Sequence, residues 1–331
     1  MEQEQLKVED GWVPCRTLQL IDAPADALAT PAPNHKLAYR DWKPSKVGAE
    51  PAPVVFAVHG LTRNSRDFDT VAEALVKDGY RVIAVDMPGR WNSGQPSLHS
   101  PHERVPAANY SYPQYIHDIR TLAHHLGLTK IDWLGTSMGG MIGMLLAAQH
   151  DSQDVHPVEI GRFIMNDIGP FVPATGLHRL GKYVGKESKF RSMDDVRAYV
   201  KRIAQQFGCH TEEEWEKITK YYVRPVMGGG EYEYELHYDP AIASSIPSDP
   251  AQFTDIDLWK FWEHVKCDSL LLLRGADSDI LPKAVAEEMV KRARFPVRIH
   301  EFAGVGHAPA LVTDDQIQVV RHFFLEGPAA E

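Results

Sequence analysis

The 331-residue chain is 44% hydrophobic and has a formal net charge of −10 without a dense basic stripe, which disfavours nucleic acid or an anionic membrane as a partner. Its three cysteines are odd in number and far apart, which argues against a disulfide framework or a metal site and favours reduced thiols in the cytoplasm. The acidic, polar first ten residues do not resemble a secretory signal, and no apolar run reaches membrane-spanning length.

The first half of the chain alternates strand-like and helix-like segments. Residues 16–21 and 35–42 predict an antiparallel strand pair, with residues 1–14 as a loose arm before it. Further strands are expected at 54–58, 81–86 and 131–135, alternating with helices near 65–78, 113–126 and 138–149. This order predicts an α/β fold built on a doubly wound, mostly parallel sheet.

The strand predicted at 54–58 runs directly into His59, Gly60 and Leu61. Open α/β sheets place their functional sites at the carboxyl edge of the strands, so this loop should face such a site. The amide of Leu61 is then a natural donor to a developing oxyanion. His59 is expected to hold the loop by hydrogen bonding rather than to transfer protons.

A Gly-x-Ser-x-Gly turn follows the strand at 131–135 and is the most informative motif of the chain. The pattern alone recurs by chance, but here it joins an apolar strand to an apolar helix, as in a nucleophile elbow. A reversal this tight requires glycine at Gly135 and Gly139 and points Ser137 into an open site. The amide of Met138, at the start of the helix, is expected to be the second oxyanion donor.

The alternation of strands and helices stops after residue 169 and resumes at residue 269. The intervening sequence is amphipathic and helix-like, which predicts a helical cap at 170–265 inserted between two parts of a core domain, 1–169 and 266–331. Tyr221 and Tyr222 lie within it and are candidates to line an acyl or aryl pocket. The alternative is that such aromatic residues pack the cap helices together.

A histidine and three aspartates complete the candidate site. His307 lies on a glycine-flanked loop after a strand-like segment, near the C-terminus, where the chain order Ser, acid, His places the general base. Asp279 and Asp277 follow the apolar strand at 269–273, and Asp167 ends the preceding one. Asp279 is preferred because the next two residues are apolar and could bury it beside an imidazole, whereas Asp277 suits a turn. Asp167 remains a third candidate.

The segments HGLT, GTSMGG, RGADSDIL and GVGHAP, in this order, resemble the α/β-hydrolase superfamily, and the resemblance runs from about Leu37 to Leu325. NDIGP followed by GLHRLGKYVG resembles capped, esterase-like members, a group that includes relatives of lactonases and of C–C hydrolases. The resemblance implies a Ser-His-Asp acyl-transfer site without a cofactor. Trp91 and Asn92 replace the small residues that many members have after the third sheet segment, so Trp91 becomes a candidate pocket residue.

These observations lead us to expect a serine hydrolase, monomeric or homodimeric, that cleaves a small carboxylic ester or lactone through an acyl-enzyme on Ser137. A C–C hydrolase of ring-cleavage products is the first alternative, and a non-enzymatic small-ligand receptor on the same fold is the second. Dehalogenase and epoxide-hydrolase chemistry is disfavoured because both need a carboxylate where this chain has serine.

Overall fold

The computed structural model describes residues 6–16, 18, 34–45, 51–93, 110–149, 156–186, 189–208, 210–226, 230–247 and 249–326. Within these ranges the strands are β1 (Lys7–Arg16), β2 (Asn34–Lys43), β3 (Val54–Val58), β4 (Arg81–Asp86), β5 (Lys130–Thr136), β6 (Glu159–Asn166), β7 (Phe171–Val172), β8 (Lys189–Phe190), β9 (Val223–Pro225), β10 (Tyr234–Leu236), β11 (Ile256–Asp257), β12 (Ser269–Gly275) and β13 (Val297–Phe302). The α-helices are α1 (Asp69–Lys77), α2 (Tyr112–His125), α3 (Met138–Ala147), α4 (Ala174–Gly181), α5 (Met193–Ile203), α6 (Glu212–Lys220), α7 (Trp259–Trp262), α8 (Lys283–Arg292) and α9 (Asp314–Leu325).

Eight of these strands form one sheet in the order β1-β2-β4-β3-β5-β6-β12-β13. Pairing is antiparallel from β1 to β4 and parallel from there to β13. The carboxyl ends of β3, β5, β6, β12 and β13 therefore meet at one edge, as in other open α/β sheets. The doubly wound α/β fold expected from the sequence is confirmed.

Helices cover both faces of the sheet because the central strands are apolar on both sides. Along β3, Val55 and Ala57 join one buried cluster with α1 and α9, while Phe56 and Val58 join the other with α2 and α3. Among the described residues, no helix combines the length and the apolar character needed to cross a bilayer.

The antiparallel edge is present, but its first strand lies earlier than expected. β1 spans Lys7–Arg16 and pairs with β2 along its full length, so most of the predicted loose arm is a strand. The rest of the predicted segment 16–21, apart from residue 18, lies outside the described residues. The polar composition was misleading because an edge strand needs apolar residues on one face only, here Val13 and Cys15.

The segment between β6 and β12 is an insertion in the sheet order, and it is not purely helical. Besides α4 to α7 it contributes a small three-stranded sheet, β8-β10-β9, and a two-stranded sheet of β7 and β11. These strands are only two or three residues long, which explains why periodicity in the sequence did not reveal them.

Candidate active site

Ser137 stands between β5 and α3 in a left-handed backbone conformation, with φ +52°. The turn depends on two glycines, since a Cβ at Gly135 would overlap the backbone of Gly139, and a Cβ at Gly139 would overlap the carbonyl of Val58. The need for glycine at both positions is therefore confirmed. Strain of this kind is characteristic of functional sites, and here the serine hydroxyl lies within hydrogen-bonding distance of a histidine.

His307 lies on the loop between β13 and α9 and faces the serine. Its Nε2 atom is 2.9 Å from Ser137 Oγ, and only 9% of the residue is exposed. The insertion helps to place this loop, because the Gly306 amide donates to the Gln206 carbonyl and the His307 amide lies 3.5 Å from Gln206 Oε1. Ser137 and His307, predicted from separate motifs, are thus brought into hydrogen-bonding contact.

The carboxylate that contacts His307 belongs to Asp167, one residue beyond β6. Asp167 Oδ2 is 2.7 Å from His307 Nδ1, and the residue is fully buried. Two further donors hold the same carboxylate: the Gly275 amide at 2.8 Å on Oδ1 and the Ser278 hydroxyl at 2.6 Å on Oδ2. Asp167 also has a positive φ, +56°, which turns its side chain towards the neighbouring strand.

The sequence-based preference for Asp279 is corrected by this geometry. Arg179 of α4 binds Asp279 through both carboxylate oxygens, at 2.6 and 2.8 Å. Burial alone would raise the pKa of Asp279, but the Arg179 guanidinium holds it below its usual value. Asp277 is exposed, and its amide donates to the Val305 carbonyl in the turn. Neither carboxylate contacts the imidazole.

The loop after β12 supports the carboxylate instead of supplying it. Gly275, the last residue of β12, and Ser278 of this loop both donate to Asp167, and β6 and β12 are parallel neighbours whose carboxyl ends are adjacent. Ser278 was not among the residues predicted from the sequence. Its position between Asp277 and Asp279 could have indicated a role. If the carboxylate comes from the end of the adjacent strand, a hydroxyl in this loop is well placed to donate a hydrogen bond to it.

The loop after β3 is held in place by the His59 side chain. The Met87 amide donates to His59 Nε2 at 3.0 Å, so His59 Nδ1 carries the proton and donates it to the Gly60 carbonyl at 2.7 Å. Because a trans peptide points its C=O and N–H in opposite directions, this bond turns the Leu61 N–H away from His59. Burial is the largest cause that lowers the pKa of His59 to about 3, and the charge of Arg90 is the second. The lowered pKa keeps the ring neutral.

Leu61 and Met138 both stand beside the serine. Leu61 lines the same cavity as Ser137, and Met138 is the first residue of α3, where helix amides have no intrahelical acceptor. A Cβ built on Gly60 would lie 3.6 Å from the Ser137 Cβ, so the two loops adjoin closely. The arrangement can present two amides to an oxyanion on a carbonyl attacked by Ser137.

Two cavities meet at this edge of the sheet. The smaller, about 70 Å³, contains Ser137 and His307 and is walled largely by the insertion. The larger, about 420 Å³, lies against residues 308–312 and α6. Both cavities are lined by the same four residues at their junction: Arg63, Thr136, Phe207 and Ala308.

The three candidate pocket residues have different positions. Tyr222 is buried, lines the smaller cavity, and has its hydroxyl 3.4 Å from Thr62 Oγ1. Tyr221 lines the larger cavity, and its hydroxyl accepts from Arg66 at 2.8 Å. Trp91 lines neither of these two cavities; its ring packs on Tyr221 and His237, with centroid distances of 5.4 and 4.2 Å.

One cluster of metal-ligand residue types occurs in the described part of the chain, away from both cavities. Cys15, His35 and Asp118 are buried with their potential ligand atoms within 4.8 Å of one another. They are already joined by hydrogen bonds, since His35 Nε2 lies 2.8 Å from Asp118 Oδ2 and Gln114 donates to Asp118 Oδ1 at 2.8 Å. The cluster fastens β1 and β2 to α2, and the absence of a functional metal stays a prediction.

The sequence of the chain is similar to those of known proteins. A family model described as the alpha/beta hydrolase fold matches residues 53–208. The chain is 38% identical to the 3-hydroxybutyrate-oligomer hydrolase of Cupriavidus necator over 301 residues, which covers 89% of this chain and 94% of the relative.

Solved structures agree over nearly the whole chain. A protein from Rickettsia typhi superposes with a TM-score of 0.79 at 30% identity, covering 96% of this chain and 99% of the other. An alpha/beta hydrolase from Novosphingobium aromaticivorans gives a TM-score of 0.74 at 26% identity, covering 97% and 99%. The chain therefore belongs to the α/β-hydrolase family and is a hydrolase of that fold.

Proposed function

We propose that this hydrolase cleaves carboxylic esters through an acyl-enzyme on Ser137. The observation that carries the proposal is the continuous chain of hydrogen bonds from Ser137 Oγ through the two nitrogens of His307 to Asp167, at 2.9 and 2.7 Å. A serine hydroxyl becomes a nucleophile when a base in this position accepts its proton. The buried Asp167 fixes the tautomer that leaves Nε2 free to do so.

Each step follows from a named contact. His307 Nε2 accepts the proton of Ser137 as Oγ attacks the ester carbonyl, and the amides of Leu61 and Met138 donate to the oxyanion. The protonated imidazole, stabilised by Asp167, then gives that proton to the leaving alkoxide, and the alcohol departs. Water, deprotonated by the same Nε2, attacks the acyl-enzyme and releases the acid.

The cavities support a short acyl group on a larger ester. The cavity at Ser137 is small and lined mainly by apolar residues, whereas the larger one begins at Ala308, beside the base. Since His307 must reach the leaving oxygen, the alcohol portion belongs on this side. The relative from Cupriavidus necator is named for oligomers of 3-hydroxybutyrate, which combine a four-carbon acyl unit with a long ester-linked remainder. We therefore propose short hydroxyacyl esters, including 3-hydroxybutyrate oligomers, as the substrate class.

The test is a comparison of Ser137→Ala with wild type on p-nitrophenyl butyrate and on a 3-hydroxybutyrate trimer. Loss of the nucleophile should lower kcat by roughly 10³-fold or more on both and abolish the pre-steady-state burst. Ser269→Ala, at the start of β12, is the matched control and should keep wild-type rates. Ester hydrolysis that survives in Ser137→Ala would refute the mechanism; activity on the butyrate ester without activity on the trimer would refute only the substrate class.

A further inference from the structure

Arg90 is a fully buried arginine that touches both residues assigned as amide donors. Its Nε donates to the Leu61 carbonyl at 2.9 Å, and its Nη2 donates to the Met138 thioether sulfur at 3.4 Å. The residue comes from the loop after β4, which differs from the small-residue turn of many family members. A single side chain therefore links the loop after β3 to the start of α3.

The remaining contacts of Arg90 hold the guanidinium rigidly. Nη1 donates to the Pro88 carbonyl at 2.6 Å and to the Tyr115 hydroxyl at 2.9 Å. The rings of Tyr110 and Tyr115 lie 5.7 and 5.5 Å from its central carbon. A planar group with donors fixed in three directions can hold two chain segments in one relative position.

Within the part of the chain that the structure describes, the four acceptors of Arg90 are neutral and no ion pair includes it. Burying a charge without a counter-ion is costly, so this position is unfavourable for stability alone. The charge acts on the site, because after burial it is the next largest cause of the lowered pKa of His59. An oxyanion formed beside Leu61 and Met138 would supply a negative charge to pair with the Arg90 guanidinium, but only while the reaction takes place.

We infer that Arg90 is a positioning residue of the oxyanion hole, which aligns the Leu61 and Met138 amides and sets a positive charge behind them. This inference rests on the proposed ester hydrolysis. Because the oxyanion exists in the tetrahedral intermediate and its flanking transition states but not in the bound substrate, its stabilisation should appear in kcat and not in KM. A side chain that only maintained the fold would alter both or neither.

The experiment compares Arg90→Lys and Tyr115→Phe with wild type on p-nitrophenyl butyrate. Lysine keeps the charge but loses the planar set of donors, and Tyr115→Phe removes one acceptor of Nη1 while Arg90 stays. We expect kcat to fall about 10-fold or more in Arg90→Lys and about 3-fold in Tyr115→Phe, with KM within about 2-fold. Inhibition by a trifluoromethyl ketone, whose adduct carries the oxyanion, should weaken in the same proportion.

Arg162→Lys is the matched control, because Arg162 pairs with Asp132 and donates to Tyr80 without contacting the site. It should lower the melting temperature and leave kcat unchanged. Unchanged kcat and unchanged ketone inhibition in Arg90→Lys would overturn the inference, as would a loss confined to KM. If Arg90→Lys does not fold, Tyr115→Phe decides by the same criteria. Failure of Ser137→Ala to abolish hydrolysis would instead overturn the proposed function itself.

Discussion

The carboxyl edge of the sheet and the insertion between β6 and β12 contribute to the same cavity in different ways. Ser137 and Asp167 follow adjacent strands, and each is held in a left-handed conformation, with φ +52° and +56°. The insertion instead supplies walls, and hydrogen bonds tie it to the loop after β3: Asn64 donates to the Tyr221 carbonyl at 2.8 Å and Arg63 to the Ile218 carbonyl at 3.0 Å. We therefore propose that reaction chemistry and substrate choice depend on separate parts of the chain.

Replacing one carboxylate at the sheet edge by an amide should give the largest loss of kcat. Asp167→Asn removes the acceptor for His307 Nδ1–H, so the imidazole loses its productive tautomer, and kcat should fall on the order of 10³ to 10⁴-fold. Asp279→Asn is the matched change at the interface with the insertion, where it breaks the pair with Arg179 but removes no hydrogen bond from the imidazole. Its kcat should stay far closer to wild type. Steady-state kinetics on one ester would settle the point, and the reverse ranking would make Asp279 the acid after all.

Truncating one tyrosine of the insertion should alter selectivity and not the reaction. Tyr222→Ala enlarges the small cavity, so relative kcat/KM should shift by about 10-fold towards longer acyl chains, corresponding to roughly 1–3 kcal/mol of lost contact. Tyr221→Ala is the matched control because Tyr221 lines the larger cavity, and it should alter preference among alcohol groups instead. A series of p-nitrophenyl esters and a series of alkyl butyrates measure the two preferences separately. Equal losses on every ester would show that the tyrosines only pack the insertion.

The smallest effects concern the dependence of the free energy of unfolding on pH. This dependence should have opposite signs for one buried group in the insertion and one at the sheet edge. Burial lowers the pKa of His237, in the insertion, from 6.5 to about 3, so the unfolded chain binds the extra proton and stability falls as pH drops below 6.5. Burial raises the pKa of Asp86, at the end of β4, from 3.8 to about 7, so its contribution falls as pH rises through 4 to 7.

Melting temperatures measured between pH 4 and pH 7 test both signs. His237→Gln should lose less stability on acidification than wild type does, because the folded state no longer excludes a proton that the unfolded state accepts. Asp86→Asn should lose more, since its carbonyl oxygen can still accept the Ser65 amide but the protonation that favours the folded state is gone. Parallel curves for wild type and both variants would contradict the burial of these two groups.

Local sequence patterns singled out Ser137 and His307, which the structure brings into contact, because tight turns leave glycine signatures that can be recognised in the sequence. The carboxylate that contacts His307 was harder to predict: Asp167, Asp277 and Asp279 all lie near the same sheet edge, and their spacing in sequence does not distinguish them. The choice depends on two long-range contacts, Arg179 binding Asp279 and Ser278 donating to Asp167. Such contacts follow from how the insertion and adjacent strands pack, which no local pattern encodes.

The secondary structure, too, could be predicted only where a local sequence pattern is strong. Strands with a long apolar run, such as β3 and β4, were placed at their observed residues, whereas the polar edge strand β1 and the short strands of the insertion were not. Arg90 was not predicted to be a site residue because arginine side chains are seldom buried. A role for it can be inferred only when the groups that accept its hydrogen bonds are known.

An acyl-enzyme on Ser137 can be detected by rapid quenching followed by peptide mass spectrometry. The enzyme is mixed with p-nitrophenyl 3-hydroxybutyrate, quenched in acid within the burst and digested. We expect the peptide containing Ser137 to gain the mass of one 3-hydroxybutyryl group, and this adduct to be absent from Ser137→Ala. A burst of p-nitrophenol with no adduct on that peptide, or with the adduct on another residue, would contradict this expectation.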